Sequence, residues 1–163
     1  MSQETYERLI ALLDENKAQY RLIDHPPEGR TELVSQMRGN RVEQAAKCIV
    51  IMAKLGKKIT KYILGVVAGD ARVDLNAIKS MVGGTYVSFA SPDIAERLSG
   101  SVIGTVLPFS FTEEMELIVD PGLLTHEEIF FNAARLDRSM ALRTSDYLAI
   151  TRPRIEKIAV AAQ

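Results

Sequence analysis

Ala46-Lys47-Cys48-Ile49-Val50-Ile51-Met52-Ala53, then Leu55-Gly56-Lys57-Lys58, then Ile59-Thr60-Lys61-Tyr62-Ile63-Leu64-Gly65-Val66-Val67 is the stretch that decides the fold. From Cys48 to Ala53 the apolar run is unbroken, which predicts a strand covered on both faces and central in a sheet. Leu55 to Lys58 reads as a turn, and Ile59 to Val67 returns as a β-rich segment. The two runs together predict an antiparallel hairpin, stopped by Ala68-Gly69-Asp70.

Toward the N-terminus, Tyr6, Leu9, Ile10 and Leu13 recur at helical spacing behind a candidate cap at Ser2, and Asn16 ends that helix. Tyr20 to Ile23 predicts a short strand stopped by Pro26-Pro27. Thr31 ahead of Leu33, Val34 and Met37 predicts a helix over 32–38, closed by Gly39, with a short helical segment around 41–46. Toward the C-terminus, Asp74 caps a helix carrying Leu75, Ile78 and Met81. Thr85 to Phe89 predicts a strand, and Ser91-Pro92 opens a helix ending at Ser99-Gly100. Strands follow at 116–119, 128–132 and 139–143, then a helix capped by Thr144 or Ser145. A hairpin mixed with alternating elements predicts an α+β fold, with a mixed, largely antiparallel sheet flanked by helices. No linker, repeat or low-complexity segment divides the chain, so residues 1–163 are expected to form a single domain.

Composition agrees with that class. Apolar residues make up 47% and charged ones 25%, enough for a core and unlike a disordered chain. No apolar run approaches the roughly 20 residues needed to cross a bilayer. The opening MSQETYERL lacks a signal-peptide pattern, so a cytoplasmic protein with no membrane role is expected. Cys48 has no disulfide partner, and no Cys/His cluster has zinc spacing, so neither a metal nor a cofactor is expected.

Charge is uneven. Between residues 41 and 61, six basic residues stand against Glu43, whereas 113–128 holds six acids and no Lys or Arg. The basic run, with Lys54, Lys57, Lys58 and Lys61 at the hairpin end, suits either a phosphate-facing surface or a merely solvated tip.

No GxSxG elbow, P-loop, GxGxxG, HExxH or CxxC is present, so serine-hydrolase, nucleotide-triphosphatase, Rossmann and zinc-protease readings lack support. His25 and His126 are far apart and read as structural or surface histidines. Lys47 stands out, because the start of a buried strand is a costly place for an ammonium. It either binds a phosphate or polarises a carbonyl, or it snorkels with only its stem packed. Its neighbour Cys48 reads as core. In Gly100-Ser-Val-Ile-Gly104-Thr-Val-Leu-Pro108-Phe109, glycines and a proline could present backbone N–H groups as an oxyanion or carboxylate cradle, or turn a sheet corner.

Taken in order, His25 before the Thr31 helix, Ala46-Lys47 leading an apolar strand, Ala68-Gly69-Asp70 before Val73-Asp74-Leu75, Phe89-Ala90-Ser91-Pro92, Leu98 to Gly100, and Gly104 through Pro108 resemble the YbaK/ProX family of aminoacyl-tRNA deacylases. The resemblance spans about residues 20 to 150 and implies the editing fold found inserted in bacterial prolyl-tRNA synthetases. Within it, Pro108-Phe109-Ser110-Phe111, Phe131-Asn132-Ala133 and Thr144 to Leu148 look most like the YeaK branch, associated with removing serine from mischarged tRNA. Thr105, Ser110 and Ala134 stand where many members carry glycine.

The resemblance implies that Lys47, Gly104 and Pro108 are the catalytic positions. It further implies that His25, Thr31, Gly100, Thr105, Val106, Leu107 and Asn132 form the substrate-binding set. The substrate would be the acceptor end of an aminoacyl-tRNA carrying a small wrong amino acid, serine first, alanine or threonine next. Loop amides near Gly104 to Pro108 would receive the oxyanion, and Lys47 would hold the carbonyl, ribose or terminal phosphate. Lys54, Lys57, Lys58 and Lys61 would meet the acceptor stem through its phosphates, with a synthetase as a candidate partner and no DNA involved. Two rivals are a tRNA- or synthetase-binding module without hydrolysis and a hydrolase of small amino-acid derivatives.

Overall fold

Ala46–Leu55 (β2) and Ile59–Ala68 (β3) pair antiparallel from Ala46 opposite Ala68 to Leu55 opposite Ile59, the hairpin the two apolar runs predict. The computed structural model describes residues 2–161. Alternation sends Val50, Leu64 and Val66 into one core and Ile51, Ala53, Ile63 and Val67 into another, so both faces of the hairpin are covered. Burying each of the Val, Leu and Ile side chains in this set contributes roughly 1.5–3 kcal/mol, which makes the hairpin the wall between two cores.

Around it, the helices are Ser2–Glu15 (α1), Thr31–Arg38 (α2), Leu75–Val82 (α3), Pro92–Ser99 (α4) and Thr144–Thr151 (α5). The other strands are Tyr20–Asp24 (β1), Ala71–Val73 (β4), Tyr86–Phe89 (β5), Met115–Val119 (β6), Glu128–Asn132 (β7), Arg138–Arg143 (β8), Arg154–Ile155 (β9) and Ala159–Ala161 (β10). The architecture is α+β, mixed and largely antiparallel, and its strands divide into sheets ordered β5-β2-β3-β6-β9, β1-β8-β7 and β10-β4. β6 runs parallel to β3 and β9 parallel to β6, which supplies the mixed character. A bridge from Ala45 to Phe130 ties the start of β2 to β7. The first core is filled from α1 by Leu9 and Leu13 and from the three-stranded sheet by Ile129, Phe131, Met140 and Leu142; the second by Ile78, Ile118 and Ile158.

Several ends follow local rules. Asp74 accepts from the N–H groups of Asn76 and Ala77, and Ser91 from that of Ile94, while Gly39, Gly83 and Gly100 end their helices in the left-handed conformation. The Ser2 cap lies outside the described side chains. The structure corrects three readings and adds short strands. α2 begins at Thr31 behind Arg30, with no side-chain cap, so Thr31 is a first-turn residue and not a cap. The segment around 41–46 is only a 3-10 turn over Val42–Gln44, because Ala45 and Ala46 are already committed to strand pairing. Neither Thr144 nor Ser145 caps α5; Arg143 holds that position, and Thr144 Oγ1 donates instead to the His126 carbonyl at 2.6 Å. The unpredicted β4 and β10 pair with each other, and Asp120 Oδ1 fixes the approach to β10 by accepting from the N–H groups of Ile158 and Ala159.

Candidate active site

At the start of β2 a cavity of about 250 Å³ opens between α2, β7 and the Gly100–Pro108 loop. Lys47, Thr31, Gly104, Val106 and Asn132, five residues expected from the sequence, line it together. Arg38 and Cys48 line it as well.

Gly104 has φ +90, and a Cβ there would lie 3.0 Å from Gly29 Cα, so only glycine allows the two backbones to pass at the cavity edge. The Gly104 carbonyl accepts from Asn132 Nδ2 at 2.9 Å. The amide N–H groups of Gly104 and Val106 have no hydrogen-bond partner among the described residues. These are the unspent donors that an oxyanion cradle needs. Thr105, by contrast, is spent on the loop, its Oγ1 and N–H both donating to the Val102 carbonyl.

Behind the cavity lies a connected polar cluster. Asn132 Nδ2 donates to the carbonyls of Glu28 and Gly104, which fixes the amide orientation, so its Oδ1 accepts from Ser139 Oγ at 2.9 Å. Arg38 Nη1 donates to the same Ser139 oxygen at 2.9 Å. His25 Nε2 lies 2.7 Å from the same Ser139 Oγ, and its Nδ1 lies 2.9 Å from the Pro26 carbonyl. Four side chains therefore hold the Gly104 loop against the segment carrying Glu28 and Gly29.

The remaining expected residues fall outside the cavity wall. His25 stands behind the cavity, against Ser139. Leu107 and Pro108 are buried beneath the loop, where the Pro108 carbonyl accepts from the Tyr147 hydroxyl at 2.7 Å. Gly100 ends α4 away from the cavity, its carbonyl accepting from Thr5 Oγ1. Lys54, Lys57, Lys58 and Lys61 are exposed toward the hairpin tip. At about 3.3 Å per residue, Lys54 is about 23 Å along β2 from Lys47, and the odd separation puts it on the opposite face.

Electrostatics favours a cation-lined site without a protein nucleophile. Burial pushes the Cys48 thiol far above its ordinary range, so it stays protonated, and the residue is a partly buried one packed against the first core at the cavity wall. Burial also pulls the Arg38 guanidinium down to about 10. Glu28, beside Arg30, is held down at about 2, yet its carboxylate is spent on that arginine and not on the cavity. Arg38 and Ser139 carry no signal in the sequence that marks them for this site. Arg38 shows only the pattern of a helix-ending cation, and its burial depends on Ser139, 101 positions away.

Comparisons with known proteins point the same way. The aminoacyl-tRNA editing domain family matches residues 25–150. The chain is 40% identical over 152 residues to the multifunctional Ser/Thr-tRNA deacylase ProXp-y of Escherichia coli K12, covering 93% of this chain and 90% of that protein. It is 29% identical over 128 residues to the prolyl-tRNA editing protein ProX of Acetoanaerobium sticklandii, covering 76% of each. Among solved structures, a candidate trans-editing enzyme for prolyl tRNA synthetase superposes with a TM-score of 0.79 at 22% identity, over 96% of this chain and 98% of that one. With its hairpin, its cavity at the start of β2 and its glycine loop in place, the chain belongs to the aminoacyl-tRNA editing domain family.

Proposed function

We propose that this protein is a free-standing trans-editing deacylase that hydrolyses the ester joining a small, wrongly attached amino acid to the end of tRNA, with serine and threonine the favoured acyl groups. The observation that carries this reading is the cavity itself: Lys47 lies in one wall, and the free amides of Gly104 and Val106 in another. An aminoacyl ester is already activated, so catalysis asks for positioning and charge stabilisation more than for a strong nucleophile. Water adds to the carbonyl carbon, the amides take the oxygen that becomes negative, and Lys47 holds the substrate oxygens in place. Collapse breaks the ester C–O bond, and the ribose oxygen leaves as a hydroxyl after taking a proton, giving the free amino acid and uncharged tRNA. A cavity of this size suits a small acyl group, which is what a second sieve requires when one methyl separates substrates by only about 1–3 kcal/mol.

The surface reading is coarser. Lys54, Lys57, Lys58 and Lys61 meet the acceptor stem through phosphates, at a distance that a macromolecular substrate spans. Acting on charged tRNA places the protein in the cytoplasm, and the whole chain works as one editing domain. The test is release of amino acid from tRNAs charged with Ser, Thr, Ala or Pro. Rapid loss of a hydroxyl-bearing residue is expected. Intact esters throughout, with folded protein, would instead favour a binding module.

A further inference from the structure

Arg38 ends α2 with 9% of its surface exposed and lines the same cavity as Lys47. Its Nε donates to Asn40 Oδ1 at 2.7 Å and its Nη1 to Ser139 Oγ at 2.9 Å, both neutral partners. No carboxylate pairs with it among the described residues. Nη2 has no partner there either. Because Ser101 Oγ is the only fully buried polar side-chain atom left without a hydrogen bond among the described residues, Nη2 retains accessible surface. A buried cation without a counter-charge is costly unless something else supplies an acceptor.

Depth says which part of a substrate meets it. Ile103, 66% exposed, marks the mouth; Lys47 and Gly104 are half-buried; Arg38, Val34, Phe131 and Asn132 form the buried floor. A substrate reaching in from tRNA places its ester at the level of Lys47 and Gly104 and its amino-acid portion toward the floor. No Asp or Glu lines the cavity, so the α-ammonium meets two cations and no counter-charge, and turns away from the floor. What remains to face Arg38 is the acyl side chain.

We propose that Arg38 is a specificity-determining residue whose Nη2–H donates to the side-chain hydroxyl of the bound acyl group, favouring seryl and threonyl esters over an alanyl ester of nearly the same size. This rests on the deacylase reading above. A charge-assisted donor on a hydroxyl is stronger than a neutral one, and an analogue lacking that oxygen leaves the buried donor unmet.

The experiment compares kcat/KM for Ser and Ala carried on one tRNA. Wild type should prefer Ser by about ten-fold or more. Arg38→Gln should bring the two within about two-fold of each other, whatever the absolute loss, whereas Lys47→Ala, which removes a contact to the ester and not to the acyl side chain, should lower both alike and keep the preference. An unchanged preference in Arg38→Gln would overturn the proposal, because a merely structural or phosphate-binding arginine lowers both substrates together. Should Arg38→Gln fail to fold, wild-type affinity for seryl and alanyl amides of 3′-amino-3′-deoxyadenosine decides. Tighter seryl binding supports the proposal, and equal affinities overturn it. That comparison needs no hydrolysis, so failure of the deacylase reading is separable from failure of this one.

Discussion

Asn132 holds Gly104: the side-chain amide donates to the Gly104 carbonyl at 2.9 Å and to the Glu28 carbonyl at 2.8 Å, joining the two backbone segments whose glycines meet at the cavity edge. Asn132→Ala leaves both carbonyls and the Ser139 hydroxyl short of a partner. The expected cost is about 1–3 kcal/mol of stability, with deacylation falling at least ten-fold as the loop amides lose their aim. Urea unfolding and initial rates measure the two effects, and wild-type values for both would remove Asn132 from the account.

Gly104→Ala tests the loop more sharply. The added methyl meets Gly29 Cα at 3.0 Å in a conformation with φ +90 that L side chains rarely adopt. A loss of about 1–2 kcal/mol is expected from conformation alone, with deacylation lowered more than stability because the Gly104 amide moves. Full activity would mean that the cradle lies elsewhere.

Cys48 lines the cavity yet is held protonated by burial. Since its folded value is raised, a reactive thiolate is withheld across the neutral and mildly alkaline range, and alkylation at pH 8 should be slower for native than for unfolded protein. Cys48→Ala should retain deacylation within a few-fold. A collapse of activity in a folded variant would make the thiol a participant.

Charge reversal at the hairpin tip probes the nucleic-acid surface. Lys57→Glu with Lys58→Glu should weaken tRNA binding at physiological salt and lower the slope of log affinity against log salt by roughly one for each phosphate no longer neutralised. An unchanged slope would move the RNA surface away from the tip.

Much of this was legible in the sequence because it is written locally. The two apolar runs around Gly56 specify the hairpin, and glycine at 104 with proline at 108 marks the loop, since close approach and fixed turns demand those residues. Ala134 takes a glycine-like φ of +62, the backbone that the family resemblance implies for a glycine at that position. What was illegible is made by distant partners. Arg38 and Ser139 meet only after α2 and β8 pack, and Thr144 turned from a cap to a cross-link because the His126 carbonyl lay within reach. β9 and β10, of two and three residues, are too short to carry a period.

The most direct measurement is single-turnover hydrolysis of Ser-tRNA by wild type and Lys47→Ala, with folding checked by thermal melting. Loss of a charged group that holds the reacting ester should lower the rate about a hundred-fold or more while leaving the melt unchanged. A Lys47→Ala protein that hydrolyses Ser-tRNA at the wild-type rate would contradict the assignment of this cavity as the catalytic site.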